Sequence, residues 1–231
     1  MKNKLVYLIL SICLLGILGI LNYNNVEVVS LDDDNIPKCN NGLYVIVDDN
    51  NPHFENDLFN TNSFEKYSDQ DLLGRSGIAL ANISVDLMPT TKRESIGMIK
   101  PSGWHTVKYD FIDGKYLYNR CHLIGYQLTG ENANPNNLIT CTRNMNTNGM
   151  IPFENQVANY IRKTNNHVLY RVTPIYKNSN LIASGVQIEA QSVEDDEIKF
   201  NVFVCNKQDN IEINYETGES KVINEPIEKR N

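Results

Sequence analysis

Cysteine is sparse in this chain: five residues in 231. That is too few for a disulfide-stapled scaffold, and no CxxC or HxxxH spacing accompanies them, which argues against a zinc-finger site. Positive charge is also in deficit. Asp and Glu number 28 against 21 Lys and Arg, giving a formal charge of −7 and a pI near 5.1. Such a balance argues against a protein that coats nucleic acid or anionic membrane indiscriminately. Tryptophan occurs once and histidine four times, and there is no internal repeat or long low-complexity stretch. The length and the 41% hydrophobic content suit one core rather than two domains.

What is present is unevenly distributed. From Met88 to Lys177 eleven basic residues face five acidic ones, so this stretch carries +6 and the remainder −13. The one long apolar run is N-terminal: Lys2 and Lys4 precede LVYLILSICLLGILGIL, Leu5 to Leu21. It fits a secretory signal peptide or a short signal anchor, and no A-x-A cleavage signal chooses between them. Residues 1–22 are therefore assigned as signal or anchor, 23–38 as a flexible, Asn-rich acidic tether, and 39–231 as the domain. Export places the protein outside the cell, secreted or attached to the outer face of the membrane. There Cys39, Cys121, Cys141 and Cys205 are structural thiols or form one or two bridges of unspecified pairing.

Along the domain, Leu43 to Val47 reads as a short strand, Asp113-Gly114 as a hairpin turn, ENANPNN as a turn and NLITCT as a strand. Thr147 to Pro152 reads as a helix start with proline in its first turn. Phe153, Val157, Tyr160 and Ile161 recur at helical spacing, so the helix should bury that stripe, hold Glu154 at its edge and stop near Asn165/Asn166. His167 to Tyr176, Leu181 to Val193 and Glu197 to Cys205 read as antiparallel strands, with alternation at Val168, Tyr170 and Val172 and again at Val186, Ile188 and Ala190. The C-terminal tail is polar and charged.

Of the histidines, His53, His105 and His167 have the context of structural residues. Cys121 and His122 are adjacent on an extended segment and should face opposite ways, which disfavours a thiol dyad. His122 stands apart because Arg120 precedes it and Asn137, Asn146 and Glu154 follow on a loop, a strand end and a helix. Two strands and a helix can thus gather a general base, an amide and a carboxylate around one phosphate. Oxygen ligands with retained waters suit Mg²⁺ rather than zinc.

The block NRCHLIGYQLTGENANPNNLITCTRNMNTNGMIPFENQVANYI resembles the active-site region of the DNA/RNA non-specific endonucleases, the ββα-metal nucleases with a D-R-G-H signature. It is most similar to the branch of streptococcal secreted DNases and of the membrane-anchored nucleases through which DNA enters cells. The likeness extends through GRSGIALANISVDLMPTTKRESIG upstream and LYRVTPIY, ASGVQIEA and EINYETGES downstream, covering roughly residues 40 to 220. It implies an α+β, ββα-metal nuclease fold with a central antiparallel β-sheet flanked by helices and loops. It also implies a metal-dependent endonuclease that hydrolyses phosphodiester bonds of DNA, with RNA as a second candidate, leaving 5′-phosphate and 3′-hydroxyl ends.

By position, the resemblance makes His122 the general base and Asn146 the direct ligand of Mg²⁺, for which Mn²⁺ can substitute. Glu154 becomes the acid holding metal-bound waters, and Asn137 a second active-site asparagine that hydrogen-bonds around the site. Arg120 matches the motif arginine, with phosphate contact and a structural salt bridge as its two readings. Lys92 and Arg93 match a substrate-contacting basic loop, against the alternative of an ordinary solvated pair; such contacts touch phosphates and carry no sequence preference. Trp104 is read as core packing ahead of base stacking. Asn119 and Cys121 depart from the motif's Asp and Gly. Two rival functions share these features: an inactive surface module that captures DNA for uptake, and an exported toxin nuclease with an immunity partner. The chain alone implies no protein partner, and uptake, DNA-trap degradation and scavenging fit equally.

Overall fold

The alternating residues of the C-terminal half build the sheet on which everything else rests. In this computed structural model, which describes residues 36–223 and a two-residue strand before them, strand β7 (Val168–Ile175) pairs antiparallel with β8 (Gly185–Ser192). The latter pairs in turn with β9 (Lys199–Cys205). The predicted alternation holds: Val168, Tyr170, Val172, Val186, Ile188 and Ala190 are all buried. The sheet is completed by β1 (Val28–Val29), β2 (Tyr44–Val47), β3 (Phe64–Tyr67) and β4 (Ala79–Ile83), in the order β1-β2-β9-β8-β7-β4-β3. Every pairing is antiparallel except β1 with β2. Strand β1 falls within the segment assigned as a tether. The signal or anchor segment, residues 1–22, and the end of the polar tail lie outside the described residues. Among those described, no helix is long and apolar enough to cross a membrane.

A second unit packs on this sheet. Strands β5 (Tyr118–His122) and β6 (Leu138–Thr142) form an antiparallel ribbon, and a wide π-type turn, Met145–Met150, leads into a 14-residue helix, Ile151–Thr164. We call this helix α2, since a single-turn helix, α1 (Tyr126–Thr129), precedes it. The helix has Pro152 in its first turn and ends at Asn165 in the left-handed conformation, where the sequence placed its stop. Arg162 and Lys163 complement the negative end of the helix dipole. Val157, Tyr160 and Ile161 are buried, while Phe153 is half-buried against Tyr44 and Phe200. Full burial of an aliphatic side chain stabilises by roughly 1.5–3 kcal/mol, so this stripe fixes how the helix lies on the sheet.

Local expectations needed correction at three places. The arm before Asp113-Gly114 is not a strand; Lys108 and Tyr116 make an isolated bridge around a compact turn instead. The helix is preceded by the π turn rather than beginning at Thr147. Glu154 is not at the rim of the stripe but buried, at 6% exposure.

Two buried polar anchors join the ribbon to the sheet. The Asn206 amide accepts from Thr142 N and donates to the carbonyls of Thr140 and Ala183. The Ser76 hydroxyl donates to the carbonyl of Leu138. Cys121 joins Cys141 across the ribbon, and Cys39 joins Cys205 beside β2 and β9, which resolves the open pairing. Cys39 and Cys205 pack with Val45, Val47 and Phe203 on one side of the sheet, whereas Cys121 and Cys141 belong to the main core.

Candidate active site

Strand β5 delivers His122. Cys121 turns into the core, while Tyr118, Asn119, Arg120 and His122 line a cleft of about 550 Å³. Arg93, Asn146 and Glu154 line the same cleft. Of the seven site residues expected from the sequence, five therefore converge. Lys92 is exposed and does not line it. Asn137 is fully buried behind it. A larger cleft, about 890 Å³, lies beside β10 (Ile211–Ile213) and β11 (Ser220–Val222) and holds none of the seven.

The His122 tautomer follows from its partner. Its Nε2 lies 2.8 Å from the carbonyl oxygen of Asn132, and a carbonyl can only accept, so Nε2 carries the proton. Nδ1 then keeps its lone pair and lies 3.4 Å from Arg93 Nη2. Burial holds the imidazole pKa down to about 4, with the Asn132 hydrogen bond opposing and the Arg93 charge reinforcing the shift. His122 is accordingly a neutral imidazole whose basic nitrogen faces Arg93, which also lines the cleft. Asn132 also donates from its side chain to the Glu94 carbonyl, tying the Arg93 loop to the histidine. Nothing in the sequence pattern singled out Asn132, because it acts on His122 through its backbone.

Glu154 has the opposite problem. Burial raises its pKa to about 7, against the opposing effects of the Gln127 hydrogen bond and the Arg93 charge. The Gln127 amide is its one side-chain hydrogen-bond donor among the described residues, at a loose 3.5 Å. Gly125 makes room for it: a Cβ there would lie 2.6 Å from Glu154 Cδ. Gln127 and Gly125 are further site residues that the sequence reading missed.

The two asparagines divide their work. Asn137 Oδ1 accepts from Ile124 N, and its Nδ2 donates to Ile124 O. Its own carbonyl accepts from Leu123 N. It therefore clamps the segment after His122 and does not reach the cleft. The Asn146 side chain, by contrast, has no hydrogen-bond partner among the described residues, although the π turn directs it to the cleft wall. Arg120 donates from Nε to Ile99 O and from Nη2 to Gly97 O, and its guanidinium sits 3.9 Å from the Trp104 ring. Among the described residues no carboxylate pairs with it, and the salt-bridge reading gives way to a backbone-anchored, ring-stacked arginine that still lines the cleft. Trp104 is half-buried and shared between a small apolar cluster and the cleft.

His53, His105 and His167 are engaged with Asp48, the Thr217 carbonyl and Glu194 respectively, the structural roles expected of them.

A metal can be tested against these groups. Among the described residues no cluster of three or more His, Cys, Asp or Glu forms an all-protein cage, which fits poorly with structural zinc. The Asn146 amide, without a hydrogen-bond partner among the described residues, and a buried, under-bonded carboxylate in the same cleft suit a hard cation that keeps several waters.

The DNA/RNA non-specific endonuclease family profile matches residues 56–194. Among solved structures, NucA from Streptococcus agalactiae with no metal bound is 27% identical, with a TM-score of 0.69 over 77% of this chain and 86% of that one. NucA with magnesium ion bound is 26% identical, with a TM-score of 0.70 over 77% and 87%. The Sda1 nuclease with bound zinc ion shares the fold at 24% identity, with a TM-score of 0.64 over 79% and 97%.

Proposed function

The chain belongs to the DNA/RNA non-specific endonuclease family and is an endonuclease; from that premise we propose that it is an exported, Mg²⁺-dependent phosphodiesterase acting on DNA, with RNA as an admissible second substrate, and without sequence preference. The observation that carries this reading is the state of His122. A neutral imidazole, its proton held at Nε2 by Asn132, keeps Nδ1 as a base on the side of Arg93.

In the reaction Nδ1 takes a proton from water as that water attacks phosphorus in line with the leaving 3′ oxygen. The Asn132 carbonyl stabilises the imidazolium that results. Asn146 would hold the cation directly and Glu154 through water, an assignment supported by an amide without a partner among the described residues and by the buried carboxylate. When bound, Mg²⁺ supplies positive charge that stabilises the leaving oxygen, and NucA is a relative known with magnesium bound. The Arg93 charge acts on both base and carboxylate and would draw a scissile phosphate toward them. Arg120 orders the 97–104 loop that walls the cleft and can contact phosphate. Lys92 would attract the flanking backbone without lining the cleft. Residues 39–231 would act as the catalytic domain behind a signal or anchor; the apolar Leu5 to Leu21 run and the two disulfides support export.

The test is plasmid degradation by the purified chain with Mg²⁺, with Mn²⁺ and with EDTA. Cleavage that requires the cation and leaves 5′-phosphates is expected. Absence of cleavage at every cation concentration would favour a DNA-capturing module instead.

A further inference from the structure

Three arginine side chains line the cleft, and each is held differently. Arg93 lies against His122, and Arg120 is held by the carbonyls of Gly97 and Ile99 and by the Trp104 ring. Arg143 has a carboxylate instead. Its Nε and Nη2 both donate to one oxygen of Asp113, at 3.1 and 2.6 Å, and Asp113 does not itself line the cleft. The Asp113 side chain is 90% exposed, against 32% for Arg143.

The surrounding backbone keeps this guanidinium at the cleft. Asp113 rides on a compact turn in which Tyr109 N donates to Lys115 O and Lys115 N donates to Ile112 O. The guanidinium lies over Gly114, where a Cβ would fall 3.3 Å from Arg143 Cζ. Arg143 N donates to Leu117 O, and the Arg143 carbonyl accepts from the Thr147 hydroxyl, which fixes the residue at the entrance to the π turn that carries Asn146. An ion pair with so solvated a carboxylate is weak. A phosphodiester offers a guanidinium two acceptor oxygens in the parallel, two-bond geometry that suits its fork, where Asp113 offers one. The exchange needs no movement of the backbone.

We propose that Arg143 is a phosphate-binding residue of the cleft, held by Asp113 in the free protein and transferred to a backbone phosphate of duplex DNA when substrate enters. This rests on the cleft being the nuclease site. It places a substrate contact at the start of the Asn146 turn and makes Asp113 a carboxylate that competes with substrate.

Binding of a fluorescein-labelled duplex oligonucleotide in EDTA, across a range of salt concentrations, separates this inference from turnover. The full chain would be compared with Arg143→Ala, Arg143→Lys, Asp113→Asn and the exchanged pair Asp113→Arg with Arg143→Asp, with a melting curve for each. Arg143→Ala should weaken binding roughly 5- to 50-fold and lower the slope of log affinity against log salt by about 0.9. Arg143→Lys should keep the slope with a smaller loss. Asp113→Asn should tighten binding by roughly 1.5- to 5-fold, the worth of an exposed ion pair. The exchanged pair preserves net charge and the ion pair, and should bind as weakly as Arg143→Ala. An exchanged pair that binds like the unmodified chain would show that only net charge matters. Arg143→Ala and Asp113→Asn variants that melt lower together, with affinity and slope unchanged, would show a purely structural pair. Either result overturns the proposal. A protein that cleaves nothing yet shows these opposed shifts in EDTA loses the nuclease mechanism and keeps the phosphate contact.

Discussion

The Glu154 carboxyl group occupies the space that a side chain at Gly125 would fill, with a Cβ built on Gly125 falling 2.6 Å from Glu154 Cδ. Helix α2 and the turn after β5 are thereby locked at one spacing. Gly125→Ala must displace the carboxylate or the turn, and overpacking of this kind costs about 1–3 kcal/mol. Chemical denaturation should register that loss, and DNA cleavage should fall at least 10-fold; a variant with unchanged stability and activity would remove the lock.

Burial of Glu154 makes stability depend on pH with a definite sign. Its folded pKa, about 7, lies above the ordinary value of 4.5, so the folded state holds the proton more tightly than the unfolded chain. This contribution is complete below pH 4.5 and is lost as pH rises through 7. In EDTA, Glu154→Gln should therefore melt higher than the unmodified protein at pH 8, with little difference at pH 4.5. The same variant should be poor in cleavage. Melting curves with the reverse ordering at pH 8 would contradict the buried position.

His122 behaves in the other direction. Its folded pKa, about 4, lies below the ordinary 6.5, so its contribution to stability is present above pH 6.5 and is lost as pH falls through 4. An NMR titration of the imidazole in EDTA should show a midpoint near 4; a midpoint at 6.5 would mean that the ring is solvated. His122→Ala should reduce turnover by roughly 10² to 10⁴ while leaving DNA affinity intact.

Asn137 and Asn146 should separate cleanly. Removing the Asn137 amide strands the backbone of Ile124 in a buried site, and two hydrogen bonds at about 1 kcal/mol each, plus the penalty for unpaired groups, predict a loss of roughly 2–4 kcal/mol. Asn137→Ala should therefore lower both the melting temperature and activity. Asn146→Ala should leave melting in EDTA nearly unchanged and abolish cation-dependent turnover. Two variants with the same melting temperature would contradict the division.

The Cys121–Cys141 bond closes a loop with a sequence separation of 20 residues, for which chain entropy predicts about 3 kcal/mol. Reduction, or Cys121→Ser with Cys141→Ser, should destabilise the chain by that order. Because the bond ties β5 to β6, cleavage should become more temperature-sensitive; calorimetry with parallel activity measurements would reveal an uncoupling of the two.

Much of this architecture was legible along the chain because its signals are periodic. Val168, Tyr170 and Val172, and then Val186, Ile188 and Ala190, advertise a buried sheet face by alternation. Val157, Tyr160 and Ile161 advertise a helix, and the left-handed Asn165 ends it where the polar pair suggested. The π turn was not legible, since MNTNGM carries no period that distinguishes a wide turn from an ordinary one. Arg120 looked like an ionic partner or a phosphate contact. That its nearest acceptors are the carbonyls of Gly97 and Ile99 depends on a loop whose path the sequence does not encode locally.

The sequence by itself determined which chemical groups exist and in what order: a histidine at the end of one strand, asparagines on both sides of the next, a carboxylate on the following helix and a basic middle between acidic ends. The tertiary structure decided which of them act together. Asn137 and Asn146 are chemically identical, yet one amide is consumed by Ile124 and the other lines the cleft with no hydrogen-bond partner among the described residues. Lys92 and Arg93 are adjacent, yet only Arg93 reaches His122. Hydrogen bonding and burial are properties of neighbours in space, brought together by β5–β6 register and helix packing, and these contacts set the His122 tautomer and the protonation of Glu154.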